Sequence, residues 1–424
     1  MLGQVRRTAS PVSHQLQIPE RQGVAGFIAS GSQRFIAVDV VKGAACLLIV
    51  AHHLAVYGPM SDAAGVLAPQ VFGWLYDYGR WAVQVFLVIG GYLAAASLTS
   101  NFLQPQPQQH RHPPSGMSLV CATAAALVRR RYYRLMMPYG VAVVASVLVA
   151  AIVRPWFSHP SVPDAPSLAQ ALAHVALLQD ILGFKALSAG IWYIAIDFQL
   201  YALSVLVFCT AATASRRWPG RPVLRGDCAM LAIGVASLWA FNRHPALDTS
   251  AFYFVGAYVL GMAAYWAAPH PLHNTNAVEK LVCRSWLGVL IAIGCIALLI
   301  QFRGRVALAW GVALMLVALR HGLRKRVVDA KCTPCPSLLR TSGRAGVRWL
   351  AALGAMSYSV FLIHFPICML VNAVMARLWP ADAGANLLGL AVAMALSLAA
   401  GRVLYRCVEL APAKRHRRSF PSVV

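Results

Sequence analysis

Long apolar runs alternate with short polar stretches along most of this chain. A helix needs about 20 mainly apolar residues to cross the hydrocarbon core of a membrane, and many of the runs approach that length. The pattern therefore predicts an all-α, polytopic transmembrane helical bundle with about ten spans. The predicted spans cover residues 35–57, 80–99, 135–153, 190–214, 228–242, 252–268, 286–302, 306–319, 350–376 and 387–408.

Polar segments divide the chain into three parts. Residues 1–34 lack the apolar region of a signal peptide and are expected to form a disordered cytoplasmic tail. Residues 35–412 are the expected membrane domain, and residues 413–424 a basic cytoplasmic tail. The longest predicted outer loop covers residues 154–189. Its amphipathic stretch SLAQALAHVALLQDILGF is too polar to span and is expected to lie on the outer membrane surface.

Composition agrees with a membrane protein. The chain is 59% hydrophobic and 12% charged, against about 45–50% and 25% in soluble proteins. Its net charge of +24 could indicate nucleic-acid binding. However, the cations concentrate in alternate loops between the apolar runs, as the positive-inside rule predicts. We therefore expect no nucleic-acid partner, an even number of spans and both termini in the cytoplasm.

Most of the ten cysteines lie inside apolar spans, where cysteine acts as a small hydrophobic residue. Cys332 and Cys335 form a CTPC motif with the spacing of metal ligands. A single CxxC without a second pair is weak evidence for zinc or redox chemistry. No metal site and no permanently bound cofactor is therefore predicted.

The first span contains four ionisable side chains, which are costly inside a membrane and usually functional. Lys42 and His53 are eleven residues apart. That spacing is almost three helical turns, so they share one face about 16 Å apart along the axis, with Asp39 on the same stripe. His52 points about 100° away from His53. The alternative is a buried histidine bonded to another helix and a lysine that snorkels to the membrane surface.

This stripe, in the sequence DVVKGAACLLIVAHH, resembles the opening motif of the acyltransferase family 3 membrane proteins. Asp39 matches the family aspartate, Lys42 the basic position and His53 the histidine. Five later segments resemble further family motifs in the same order, namely GRWAVQVFLVIGGYL, RRRYYRLMMPY, WYIAIDFQLY, LGAMSYSVFLIHFP and YRCVELAP.

Three positions depart from the family pattern. Gln84 replaces the usual aspartate, Gly90 the usual serine and Asp197 the usual glutamate. The resemblance implies an integral enzyme of the bacterial inner membrane that moves an acyl group, commonly acetyl from acetyl-CoA, to a hydroxyl. The implied acceptor is often an exported carbohydrate such as lipopolysaccharide or exopolysaccharide, free or lipid-linked. The expected partners are thus acyl-CoA, that acceptor and the lipid bilayer.

Transfer to a sugar hydroxyl needs a base, and histidine is suited to take and return a proton at neutral pH. We expect His53 to be that base. Asp197 in the fourth span lies at similar depth by helix rise. It could orient the imidazole, or it could only make a polar contact between helices.

Coenzyme A carries phosphates, so its site should contain cations at the cytoplasmic mouth of the bundle. The candidate donor-binding residues are Lys42, Arg130, Arg131 and Arg134. The arginine cluster could instead reflect membrane topology alone.

The candidate acceptor or pocket residues lie in the fourth and ninth spans. Tyr193 and Tyr201 flank Asp197 at i−4 and i+4 and share its face. His364 shares a face with Ser357, and both could bind a substrate or only hydrogen-bond between helices. The full set is Tyr193, Gln199, Tyr201, Ser357 and His364.

A proton-coupled transporter of a sugar or lipid-linked intermediate is the main alternative, because intramembrane Asp, Lys and His also form proton relays. Inverted repeats with broken helices would favour it, and no convincing repeat is visible. A catalytically inactive relative that only binds lipid or glycan is a third possibility, against which the intact Lys42–His53 pair argues.

Overall fold

The computed structural model describes residues 36–103, 116–218, 225–268, 277–332 and 345–410, and all regular structure in these ranges is helical. The two predicted tails, residues 1–34 and 413–424, lie outside the described residues. The α-helices of the described ranges are α1 Ile36–Val56, α2 Pro59–Ala64, α3 Pro69–Tyr78, α4 Val83–Leu98, α5 Gly116–Val153, α6 Leu168–Ala176, α7 Ile191–Arg217, α8 Gly226–Trp239, α9 Ala251–Trp266, α10 Ala277–Ile300, α11 Gly304–Cys332, α12 Ala345–Leu378 and α13 Ala383–Leu404.

The prediction of a polytopic helical bundle is confirmed. Within the described ranges, eight helical segments are long and apolar enough to cross a membrane. Helices also occupy the two remaining predicted spans, but α8 and α9 have only 14 and 16 residues. Both are shorter than the about 20 residues that a full span needs. Almost every residue of α9 is buried by its neighbours, so this helix is a core element of the bundle.

Helix α5 is longer than its predicted span. It has 38 residues and begins at Gly116, whereas the prediction began at residue 135. The basic stretch RRRYYR continues the helix because arginine is a good helix former and no glycine or proline interrupts it. As a result, the arginines expected in a loop lie on α5, and Arg131 reaches the interior of the bundle.

Close backbone contact joins α1 to α12. A Cβ atom on Gly354 would lie 1.8 Å from the Asp39 carbonyl oxygen, and one on Gly43 would lie 2.2 Å from the Leu350 oxygen. Small residues permit such approach between membrane helices. These two glycines therefore determine how near the side chains of α1 come to those of α12.

Close backbone contact at glycines also joins α4 to α9. A Cβ atom on Gly91 would lie 1.9 Å from the Tyr258 carbonyl oxygen, and one on Gly261 would lie 1.9 Å from the Val88 oxygen. Because both contacts are with backbone, neither residue can be enlarged without separating the helices.

The chain between α5 and α7 re-enters the bundle. The Tyr132 hydroxyl donates a hydrogen bond to the Val175 carbonyl (2.8 Å), and the Gln199 amide donates to the Leu177 carbonyl (2.9 Å). Tyr132 lies about 31 Å along α5 from its end at Val153, by helix rise. The expectation that this amphipathic stretch lies on the outer surface is therefore wrong.

We call residues 168–188 the re-entrant segment. Side chains on α5 and α7 donate hydrogen bonds to its Val175 and Leu177 carbonyls, which suits an irregular chain that is packed against membrane helices. Its other face is apolar and points away from the bundle, through Leu168, Leu172, Val175, Ile181 and Leu182. This composition suits contact with lipid and explains why the amphipathic pattern suggested a membrane surface.

Candidate active site

A cavity of about 300 Å³ opens beside the last turns of α1. The ends of α1, α3 and α7 and the middle of α12 surround it. Among the residues that line it are His52, His53, Tyr57, Tyr76, Arg80, Trp192 and Phe361. It combines imidazoles, one cation and several aromatic rings.

Gly190 closes the cavity at the start of α7. Its φ of +79° lies in the region that favours glycine. A Cβ atom there would lie 2.7 Å from the Phe361 ring and 3.1 Å from Cε1 of His53. Glycine at this position lets the first turn of α7 approach the His53 ring.

His53 is paired with His364. Nδ1 of His53 lies 2.7 Å from Nε2 of His364, and the two ring planes are within 10° of parallel with their centroids 4.8 Å apart. Nδ1 of His364 in turn lies 2.6 Å from the Phe361 carbonyl oxygen. The exposed fractions of the two residues are 5% and 0%. The structure thus joins two predicted site residues that lie 311 positions apart in the chain.

His52 also lines the cavity, although the helical register separates it from His53. Its Nδ1 lies 2.8 Å from the Leu75 carbonyl oxygen, which ties α1 to α3. The ring centroids of His52 and His53 are 5.3 Å apart. The cavity therefore spans two adjacent directions around α1. The ring nitrogen of His52 contacts α3, and that of His53 contacts α12.

Asp197 does not contact His53. The structure pairs its carboxylate with Arg131, at 2.5 Å between Oδ2 and Nη2. The guanidinium of Arg131 also lies over the Tyr201 ring, 5.2 Å from its centroid. Of the two alternatives for Asp197, the structure shows the polar contact between helices. The carboxylate does not orient His53, because α7 begins beside the cavity at Ile191 and Asp197 lies about 9 Å further along the helix.

The Arg131–Asp197 pair lies among tyrosines, of which Tyr258 is buried and Tyr193 and Tyr358 are partly buried. Tyr193, Tyr258 and Tyr358 are within electrostatic range of both charges. The hydroxyl of Tyr258 and Nε of Arg131 have no hydrogen-bond partner among the described residues. This is a second polar site in the interior, in which the cation expected to bind donor phosphates is already paired.

Gly90 leaves room for the Asp197 carboxylate. A Cβ atom there would lie 3.1 Å from Oδ1 of Asp197 and 3.3 Å from the Tyr258 ring. Aromatic rings connect this region to the cavity, since Tyr193 lies 5.7 Å from Phe361 and Phe361 lies 6.4 Å from His53 between centroids.

The other end of α1 holds a charged group. Nζ of Lys42 lies 3.3 Å from Oδ1 of Asp39, so the predicted stripe is present. Glu409 is within electrostatic range of Lys42 and Arg134, and its carboxylate accepts a hydrogen bond from Ser359 at 2.7 Å. Arg130 and Arg134 are exposed on α5.

The remaining predicted pocket residues have structural contacts away from the cavity. Gln199 holds the re-entrant segment, and Tyr201 packs under Arg131. The Ser357 hydroxyl donates within α12 to the Gly354 carbonyl at 2.9 Å.

Arg80 is the main cavity residue that the sequence interpretation did not select. Arg80 is exposed, lines the cavity, and has no hydrogen-bond partner among the described residues. Arg303, in another loop, is buried and bonds the Asn242 side chain and the Leu238 carbonyl, each at 2.7 Å. Burial lowers the pKa of Arg303, as does the nearby charge of Arg305.

Trp192 and Phe361 were also missed as cavity residues. Phe361 lies three positions before His364 on α12, so helical spacing could have placed it on the same face. Among the described residues, no three His, Cys, Asp or Glu side chains form a possible metal site. Cys335 of the CTPC motif lies outside the described residues.

Comparison with known families supplies the class of protein. The acyltransferase family 3 model, described as an acyltransferase domain, matches residues 35–406. Comparison with curated proteins and with solved structures gives no match to either. Because the family model covers most of the chain and the structure is a bundle of membrane-length helices, the chain belongs to acyltransferase family 3 and is a multi-pass membrane acyltransferase.

Proposed function

We propose that this acyltransferase moves an acetyl group from acetyl-CoA in the cytoplasm to a hydroxyl of an exported carbohydrate. A bacterial inner membrane is the expected location. The observation that carries the proposal is the position of His53, which lines a cavity with one ring nitrogen engaged by His364 and the other unpartnered among the described residues. The same helix carries Lys42 at its opposite end.

The donor would bind along α1. Coenzyme A is elongated, with phosphates at one end and the thioester at the other. Lys42 and the exposed Arg134 supply cations at one end of the helix, and His53 lies about 16 Å away along its axis. Because Arg131 is already paired with Asp197, we assign donor phosphates to Lys42, Arg130 and Arg134 instead.

The acceptor would occupy the cavity. A volume of about 300 Å³ is at the small end of ligand pockets, which suits one sugar ring with the rest of the acceptor outside. Tyr57, Tyr76 and Trp192 provide aromatic surfaces for the ring faces. Arg80 is the only charged side chain among the lining residues that the structure describes, and it can donate hydrogen bonds to acceptor oxygens.

In the reaction, His53 removes the proton of the acceptor hydroxyl as its oxygen attacks the thioester carbonyl carbon. The carbon–sulfur bond then breaks, and the proton passes from His53 to the departing thiolate. The acceptor gains an ester and coenzyme A leaves as a thiol. General base catalysis of this kind contributes about 10²–10⁴-fold in rate.

The test uses purified protein in detergent with radiolabelled acetyl-CoA and the envelope carbohydrates of a bacterial host. We expect label in alkali-labile esters of the carbohydrate. His53→Ala should reduce the rate by about 10²–10⁴-fold, and His52→Ala should reduce it much less, because Nδ1 of His52 is engaged by the Leu75 carbonyl and the residue does not contact His364. Ser285→Ala is a control, since that exposed hydroxyl bonds its own helix.

Two results would contradict the proposal. If no label is found in alkali-labile esters of the carbohydrate, a carbohydrate hydroxyl is not the acceptor. A His52→Ala variant less active than His53→Ala would show that the base has been assigned to the wrong histidine.

A further inference from the structure

We propose that His364 is a positioning residue, which holds His53 in the tautomer that carries its proton on Nδ1 and leaves Nε2 free as the base. The assignment of the proton follows from the hydrogen-bond geometry and from the burial of both rings without a paired carboxylate. Its consequence for catalysis rests on the function proposed above, so the two are tested separately.

The first step concerns His364. Its Nδ1 lies 2.6 Å from the Phe361 carbonyl oxygen. A carbonyl oxygen only accepts hydrogen bonds, so Nδ1 of His364 must carry a proton. If the ring is neutral, its Nε2 has no proton and can only accept.

The second step concerns charge. Both rings are buried, at 5% and 0% exposure, and an unpaired buried charge is costly. Among the described residues, no carboxylate forms an ion pair with either imidazole. The ion pairs there join Lys42 to Asp39, Arg131 to Asp197 and Arg225 to Asp227. His364 is therefore neutral in the resting state, and its Nε2 accepts.

The third step assigns His53. Its Nδ1 lies 2.7 Å from the accepting Nε2 of His364 and must donate. The hydrogen bond made by one ring nitrogen decides which nitrogen is protonated. Nε2 of His53 therefore has a free lone pair, and this residue lines the cavity in which the acceptor would bind.

The arrangement performs the role that a carboxylate has in a catalytic triad. When Nε2 of His53 takes the acceptor proton, the ring becomes an imidazolium whose Nδ1–H still points at His364. The lone pair of His364 stabilises that donor, while the Phe361 carbonyl keeps the lone pair directed at His53. The proton then leaves Nε2 for the thiolate, and both rings return to their starting state.

This inference reassigns two predicted residues. His364 acts through His53 and need not touch a substrate, and Asp197 is not required to orient the base. The close contacts of Gly43 and Gly354 bring α1 and α12 near enough for the two rings to bond.

The direct test is nitrogen-15 NMR of the full-length protein labelled at histidine, in detergent or lipid. The signals of His53 are assigned by their loss in His53→Asn. We expect a protonated Nδ1 and an unprotonated Nε2 in the unsubstituted protein. A proton on Nε2 of His53 would overturn the proposal without any measurement of activity.

Two variants of equal side-chain length separate positioning from packing. His364→Gln keeps an acceptor oxygen near the position of Nε2, whereas His364→Met fills similar space without a comparable acceptor. We expect the Gln variant to keep the Nδ1–H tautomer and kcat within about tenfold. The Met variant should lose that tautomer and lower kcat by about 10²-fold or more, with the KM for acetyl-CoA unchanged.

A Met variant that keeps both the tautomer and kcat would overturn the proposal, as would a Gln variant impaired equally with Met. If either variant fails to fold, the tautomer in the unsubstituted protein still decides. Protein that shows the expected tautomer but transfers no acetyl group would count against the proposed function, and the assignment of the proton would stand.

Discussion

Lys42 and His53 share one face of α1, but their partners differ in kind. Lys42 contacts a carboxylate on its own helix, three residues away, and its side chain is partly exposed. His53 contacts another imidazole on a distant helix and is buried. The ammonium group is therefore available to a ligand at the end of the bundle, whereas the imidazole is held in one position.

The role of Lys42 can be tested by two substitutions. Lys42→Arg should keep most of the activity, because the cation remains. Lys42→Met should raise the KM for acetyl-CoA with kcat little changed, which is the pattern of lost ground-state binding. Steady-state kinetics in detergent with acetyl-CoA varied provides the measurement.

Asp39→Asn is the matched control, since it removes the partner of Lys42 and leaves the cation. We expect its KM for acetyl-CoA to be unchanged or lower. An unchanged KM in Lys42→Met, or an equal rise in Asp39→Asn, would show that the lysine only pairs with Asp39.

At the scale of elements, glycines decide which helices touch. A Cβ atom added to Gly354, Gly91 or Gly261 would lie less than 2 Å from a backbone oxygen of the facing helix. The first of these glycines lies between α1 and α12, and the other two lie between α4 and α9. The α1–α12 contact brings His53 to His364, and the α4–α9 contact positions α4, which carries Gly90 beside Asp197. The helix contacts thus set the geometry of both polar sites.

Gly261→Ala should destabilise the bundle, because its Cβ atom would meet the Val88 carbonyl oxygen at 1.9 Å. Overpacking of a core typically costs about 1–3 kcal/mol. We expect a clear fall in the melting temperature measured by size-exclusion chromatography after heating in detergent.

Gly311→Ala on α11 is the matched control, with no atom within 4 Å of the added carbon. It should be neutral or slightly stabilising, since alanine favours a helix over glycine by roughly 0.5–1 kcal/mol. If the two variants melt at the same temperature, the α4–α9 contact does not limit stability.

At the scale of the whole molecule, the two ends of α1 have different chemistry. One end gathers Lys42, Arg134 and Glu409, and the other opens into the cavity with His53 and Arg80. A donor and an acceptor that meet from opposite sides of a membrane would need this arrangement. The cation asymmetry of the loops predicts which end is cytoplasmic.

Cysteine labelling tests that topology. Single cysteines are introduced on a cysteine-free background as Ser158→Cys or Ser215→Cys. Ser158 lies just after α5, Ser215 lies near the end of α7, and both residues are exposed. We expect an impermeant maleimide to label Ser158→Cys in intact cells and Ser215→Cys only after the membrane is opened. The reverse result would invert the topology and place the cavity on the cytoplasmic side.

The sequence by itself determined the helical class, the approximate positions of most long helices, the family and the Lys42–His53 stripe. Each of these depends on local information, because apolar run length and helical period are properties of neighbouring residues. The family model matches residues 35–406, the part of the chain in which all six motifs begin, in order.

Only the tertiary structure decided what His53 and Asp197 contact. Their partners, His364 and Arg131, lie 311 and 66 positions away in the chain. Helical period shows which face a side chain occupies but not which helix meets that face. The contact of the re-entrant segment with Tyr132 could not be predicted from the sequence either. An amphipathic pattern is the same for a segment that lies on a membrane surface and for one that packs against membrane helices.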